Sequence, residues 1–252
     1  VHATSFDRSS DQNIDTRVYE IEKKGMEAAD RVITVSDLTR NIVITKYGIN
    51  PDKVVTVHNA VDFSGRSEMK VERGVDDKVV TFLGRITFQK GPEYFIEAAA
   101  KVLKRCPGVR FVMAGSGDMM NRSIRQVARL GISDRFHFTG FLRGADVQKM
   151  FALSDVYVMP SVSEPFGISP LEAMRSGVPS VISHQSGAAE VLKYAFKVDF
   201  WDVDAMADQI YALLKYPALA DFASKYGYDD VNTLKWNNAA AKIKKVYESV
   251  IK

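Results

Sequence analysis

Apolar and polar positions follow one rhythm along most of this chain, and that rhythm starts near residue 79. A short β-branched run leads to a glycine-containing loop, and the loop leads to a stretch with helical spacing. VVTFLG (79–84) precedes PEYFIEAAAKVLKR, VRFVMAG (109–115) precedes MMNRSIRQVARLG, and RFHFTG (135–140) precedes ADVQKMFALS. VYVMPS (156–161) leads through EPFGISPLE to a helix closed by Gly177 and Pro179, and VPSVIS (178–183) leads to a helix around AAEVLKY. Near-continuous apolar strands that alternate with helices predict a parallel sheet covered on both faces. The expected class is α/β, a doubly wound parallel sheet whose ligands lie at the carboxyl ends of its strands.

The first sixty residues read differently. VHATSF, RVITVS (31–36) and KVVTVHN (53–59) predict strands, with DLTRNIVITKYG as a helix and a long polar helix ending near Asp30. This βαβ pattern begins on its strand without cap or tail, as expected of a chain that enters mid-fold. Residues 62–78, DFSGRSEMKVERGVDDK, are polar and glycine-containing and read as a linker between two lobes. WNNAAAKIKKVYESVIK is a lone amphipathic helix at the end. The expected division is 1–61 for a partial first lobe, 62–78 for the linker, 79–232 for a ligand-binding domain and 233–252 for the terminal helix.

Composition narrows the class. With 252 residues, 46% hydrophobic and 26% charged, the chain matches an ordinary globular protein. The net charge of +3, from 34 basic and 31 acidic residues, favours anionic ligands slightly. No basic block suggests a nucleic-acid surface. The apolar runs are too short to span a membrane, and VHATSFDRSS has no signal-peptide pattern. Cys106 is the only cysteine, which excludes an internal disulfide and a cysteine-based zinc site within this sequence. It reads as a small packed hydrophobe, compatible with a reducing, cytoplasmic setting.

Three loops carry candidate chemistry. RITFQKG places Arg85 and Lys90 before a helix with Pro92 in its first turn. Two cations beside a helix N-terminus can meet a diphosphate, although alone they read better as ordinary exposed cations. In GSGD, Gly115 and Gly117 would let backbone approach a ligand closely, or simply form a tight turn. EPFGISPLE supports two readings. Ser169-Pro170-Leu171-Glu172 fits a capping box with proline at the first helical position, leaving Glu164 a solvated loop residue. Alternatively, Glu164 and Glu172 work on a ligand, with Phe166-Gly167 near the cleft and free N–H groups at the Ser169 helix start. Together the loops describe an anion-lined cleft rimmed by carboxylates, suited to a sugar nucleotide. Asp202 and Asp204 in WDVD read as a turn and helix cap, and no metal site is expected.

These motifs carry a resemblance. FLGR-ITFQKG, VMAGSGD, FTGFL and EPFGISPLEAMRSGVP resemble the nucleotide-binding half of retaining GT-B glycosyltransferases of group 1, glycogen synthase-like and sucrose synthase-like. HNAVD (58–62) resembles the family's HNGVD turn, with Ala60 in place of the usual glycine. The resemblance implies a GT-B type, Rossmann-like domain with a partial first lobe. The terminal helix with Trp236 resembles a segment crossing back to that lobe. The lobe's glycine-rich loop is absent from this sequence, as in a C-terminal piece of a longer protein.

By the same resemblance, Arg85 and Lys90 hold the donor diphosphate, Glu172 the ribose, and Glu164 lies near the donor sugar. Phe166, Gly167 and Ile168, with Ser169 and Leu171, form the segment facing the donor. Gly84 and Gly115 belong to the donor site, with Gly115 beside the nucleoside, and Leu142 and Arg143 lie near the base. His2 resembles a histidine close to the reacting sugar, with a packed or terminal histidine as the equal alternative. The implied catalytic set is Glu164, Arg85, Lys90 and His2. No cofactor is implied, because the nucleoside diphosphate sugar (UDP, ADP or GDP) is a substrate. The other partner is a glycan or small-molecule acceptor, with no nucleic acid. The implied reaction is metal-independent hexose transfer with retention of configuration. The alternative is a nucleotide-sugar-binding module without catalysis, since the acceptor lobe is incomplete. A nucleotide-sugar epimerase of similar architecture is disfavoured by the order of the motifs.

Overall fold

The computed structural model describes residues 1–8, 14–61, 71, 74 and 76–251. The chain first builds a small unit from α1 (Ser5–Arg8), α2 (Thr16–Ala28), β1 (Val32–Thr34), α3 (Asp37–Tyr47) and β2 (Val54–Thr56). β1 and β2 pair in parallel, Val32 opposite Val54. The hydroxyl of Ser36 caps α3 by accepting the Thr39 amide at 3.0 Å. The apolar centre is Met26, Val32, Val43, Tyr47, Ile49 and Val54.

The opening VHATSF is not the expected strand. Asp7 accepts the amide and hydroxyl of Thr4, at 2.7 and 2.9 Å, and this turns the chain into α1. The terminal amino group of Val1 donates to the Ile33 carbonyl of β1.

The larger unit contains β3 (Lys78–Leu83), β4 (Val109–Ala114), β5 (Phe136–Gly140), β6 (Val156–Met159), β7 (Ser180–Ser183) and β8 (Phe196–Val198). They form a six-stranded sheet in the order β5-β4-β3-β6-β7-β8, with every pair parallel. Its helices are α4 (Pro92–Arg105), α5 (Met120–Arg129), α6 (Ala145–Leu153), α7 (Ile168–Arg175), α8 (Ala188–Val191), α9 (Val203–Lys215), α10 (Pro217–Val231) and α11 (Trp236–Glu248).

Two apolar clusters sandwich the sheet. Val80, Phe82 and Val158 pack with Phe95 of α4 and Ile210 of α9, whereas Tyr157 and Met159 pack with Phe151 of α6 and Leu171 of α7. Alternate residues of β6 thus serve opposite faces, the period of an extended strand covered on both sides. The expected doubly wound class holds.

Strand order reverses between β3 and β6, and this opens a crevice at their carboxyl ends. β8 and α10 were not among the elements read from the sequence, α9 was anticipated only by the cap read in WDVD, and α8 is a single turn. Most of segment 62–78, and Asp62 of HNAVD, lie outside the described residues. Val61 donates to the Leu234 carbonyl at 3.3 Å, bringing the end of the first unit beside the start of α11. No helix among the described residues is long and apolar enough to cross a membrane.

Candidate functional site

At the reversal of strand order the loops enclose a cavity of about 450 Å³. Its walls bring together five residues singled out in the sequence: Gly84 and Arg85 after β3, Gly115 after β4, Leu142 after β5, and Glu172 on α7. Others were missed. Gln148 and Phe151 contribute from one face of α6, and Arg175 and Ser176 from the turn after Glu172. Their i,i+3 and i,i+4 spacings on helices that follow strands were the available signal.

Gly115 is required, for a reason other than ligand approach. Its φ is +145°, and a Cβ there would lie 1.8 Å from the Gly84 carbonyl oxygen. A Cβ on Gly117 would lie 2.2 Å from the Ile86 carbonyl oxygen. The loops after β3 and β4 therefore dock backbone to backbone, and Ile86 donates to the Ser116 carbonyl at 2.9 Å. The close approach expected of a ligand is made by a neighbouring loop.

The two cations separate. Arg85 lines the cavity, and its guanidinium donates to Gln89 Oε1 at 3.0 Å. Lys90 does not line it. It ends a 3₁₀ turn (Phe88–Lys90), and its ammonium is paired with the carboxylate of Glu164.

Glu164 is only 8% exposed, so it is not a solvated loop residue. Its amide donates to the Gln185 carbonyl at 2.9 Å, its carbonyl accepts from Gly187 at 3.0 Å, and its carboxylate accepts the Ser161 hydroxyl at 3.4 Å. The residue joins two loops as well as carrying a charge.

The capping box does not form. α7 starts at Ile168, Gly167 occupies the cap position with φ +94°, and Pro170 is the third helical residue rather than the first. The Ser169 hydroxyl instead accepts a hydrogen bond from the buried Tyr157 hydroxyl at 2.7 Å. Burial pushes the Tyr157 phenol far above its ordinary range, and the charges of Glu164 and Glu172 add to this against the Ser169 bond. It stays a proton donor. Glu172, released from capping, is half-buried on the cavity wall. Burial raises its pKa, opposed by the neighbouring Arg175 guanidinium.

The remaining candidates lie off the wall. Phe166 and Leu171 are buried in the apolar cluster, Gly167 is buried beside Met159, and Ile168 is exposed. Arg143 is exposed, with its guanidinium 4.9 Å from the ring of Phe141, itself part of the wall. His2 is exposed on the first unit. Asp202 caps α9 by accepting the Ala205 amide at 2.9 Å, and Asp204 pairs with Lys101 at 2.6 Å.

The family model described as "Glycosyl transferases group 1" matches residues 66–230. The chain belongs to the glycosyl transferases group 1 family. A second model, "Glycosyltransferase Family 4", matches residues 1–64. Among its relatives, an uncharacterized glycosyltransferase of Methanocaldococcus jannaschii is 32% identical over 234 residues, covering 86% of this chain and 60% of that protein. D-inositol 3-phosphate glycosyltransferase of Mycobacterium marinum is 30% identical over 247 residues, covering 91% of this chain and 52% of that protein. This group 1 chain therefore spans little more than half the length of these two relatives. The crystal structure of Anabaena HepE in complex with UDP and glucose superposes with a TM-score of 0.82 at 20% identity, covering 93% of this chain and 68% of that one. At that identity the likeness is one of fold: α/β, Rossmann-like, of the GT-B type.

Proposed function

We propose that this chain carries the donor half of a retaining hexosyltransferase that uses a nucleoside diphosphate sugar. The observation that carries the reading is the cavity at the strand-order reversal, with Arg85 and a desolvated Glu172 on its wall. Its volume is in the range of small-molecule sites. In this reading Glu172 takes the ribose hydroxyls, and Leu142 and Gly115 flank the nucleoside. Arg85, Lys90 and the amides at the start of α7 take the diphosphate. Negative charge builds on that diphosphate as the glycosidic bond breaks, and fixed cations and amides stabilise it there. When Lys90 turns to the diphosphate, Glu164 is released to accept a hydroxyl of the donor sugar. Neither carboxylate acts as a nucleophile, and no metal is required.

A second reading is a nucleotide-binding module without transfer. It is favoured by one observation: among the described residues the cavity walls come from residues 83–176, all within the larger unit. Calorimetry with UDP, ADP and GDP tests both readings. One nucleotide is expected to bind, and Arg85→Ala is expected to weaken it about tenfold or more, the worth of a charge-assisted hydrogen bond. Failure of all three to bind the folded chain would overturn both.

A further inference from the structure

Besides the Val61–Leu234 hydrogen bond and the packing of Val35 and Val61, three contacts between the first lobe and the larger domain lie on the loops around Glu164 and the helix that follows them. The Ser163 hydroxyl donates to buried Asp7 at 2.8 Å. Gly187 lies so close to Ser36, the cap of α3, that a Cβ at 187 would stand 2.5 Å from the Ser36 Cβ. The third contact is made by Glu190 on α8. Its carboxylate crosses to the start of α3, accepting the amides of Asp37 at 2.8 Å and Leu38 at 2.7 Å. Nε2 of His58, just beyond β2, lies 2.7 Å from the same carboxylate.

The first amides of a helix have no partner within it and sit at the positive end of its dipole. A carboxylate is their best acceptor, and here it comes from 153 residues away in the other unit. Asp37, His58 and Glu190 also place three potential metal-ligand atoms within 4.8 Å. Both oxygens of Glu190 already accept N–H donors, and the positive helix end disfavours a cation.

Glu190 is tied to the donor-side loop as well. At the start of its helix, Ala188 donates to the Phe166 carbonyl at 2.6 Å and Gly187 to the Glu164 carbonyl at 3.0 Å. We propose that Glu190 is a positioning residue that registers the first lobe against the loop carrying Glu164. Its consequence for catalysis rests on the donor-site reading above: the first lobe and the donor loop keep one alignment during transfer. The registration itself does not depend on that reading.

The test places spin labels at Asn41→Cys and Lys215→Cys in a Cys106→Ser background and measures their distance distribution. UDP affinity is measured on the same proteins. Glu190→Ala is expected to broaden the distribution. Glu190→Gln, which keeps the length and one acceptor oxygen, is expected to give an intermediate width. UDP affinity should stay within about twofold in both, because no residue of this contact lines the cavity. A wild-type distribution in Glu190→Ala would overturn the proposal, as would loss of UDP binding with unchanged distances. If UDP, ADP and GDP all fail to bind the unsubstituted chain, the donor-site reading falls, and the distance distributions alone decide the role of Glu190.

Discussion

The two units hold themselves together by different means. The six-stranded domain has strands buried at every position of β6 and β7, and Phe95 packs within 5.6–5.8 Å of Phe82, Phe111 and Phe136. The first unit has two strands of three residues and an aromatic trio of Phe6, Tyr19 and Tyr47, with Tyr19 and Tyr47 stacked at 4.9 Å. A large apolar core fixes its own geometry through close packing. A small one leaves more to directional polar contacts, here Asp7 with Ser163 and Glu190 with α3. On the proposal for Glu190, the difference separates where stability resides from where alignment is decided.

The sharpest way to break this contrast is to exchange matched glycines. Gly115→Ala drives a Cβ into the Gly84 carbonyl, and we expect at least about 3 kcal/mol of destabilisation or failure to refold. Gly48→Ala in the first unit meets nothing within 4 Å at φ +70°, so only backbone strain of about 1–2 kcal/mol should appear. Urea unfolding compares the two, and equal costs would remove the distinction.

A middle-sized effect is expected at Glu172. Glu172→Gln should weaken nucleotide binding about tenfold while leaving the unliganded domain at least as stable near neutral pH. The folded state holds the Glu172 proton more tightly than the unfolded state, because burial raises its pKa. Stability is therefore lost as pH rises through that raised value, a loss the glutamine variant escapes. Unfolding curves for the two proteins should converge below about pH 4 and separate towards neutrality. Lower stability of the variant near neutral pH would contradict the burial argument.

The effect confined to the narrowest pH window belongs to the first unit. Burial, then the hydrogen bond to Glu22 and its charge, push the Tyr47 phenol up to about 12. Its contribution is fully present below the ordinary phenol pKa of about 10 and is lost as pH rises towards 12. Tyr47→Phe should therefore differ from the parent below that window and lose this difference across it, as followed by unfolding from neutral to alkaline pH. A pH-independent difference would place the value of Tyr47 in packing alone.

What could be read from the sequence followed burial on both faces. β3, β4, β6 and β7 stand out as apolar runs because both sides of each strand are covered, whereas the edge strand β5 shows by its alternating Phe136 and Phe138, with His137 and Thr139 exposed. β8 does not, since Phe196-Lys197-Val198 is a three-residue edge strand interrupted by a charge. At the site, residue type and loop position found Arg85, Gly115 and Glu172. The roles of Ser169 and Glu164 were decided by partners distant in sequence, the Tyr157 hydroxyl and Lys90. An S-x-x-E pattern records only what a helix start can do locally. It cannot show that a buried tyrosine has already claimed the serine.

The pairing of Lys90 with Glu164 has a further consequence. For Lys90, Glu164 is a counter-ion supplied by the chain itself, so its local concentration does not fall when the protein is diluted. An incoming carboxylate-like monoanion would exchange one partner for its equal and gain little. A group with more negative charge than a carboxylate gains from the exchange. On the proposed reading, in which Lys90 turns to the donor diphosphate, the tethered acid would act as a charge threshold, discriminating by how much charge a ligand brings before its shape is tested.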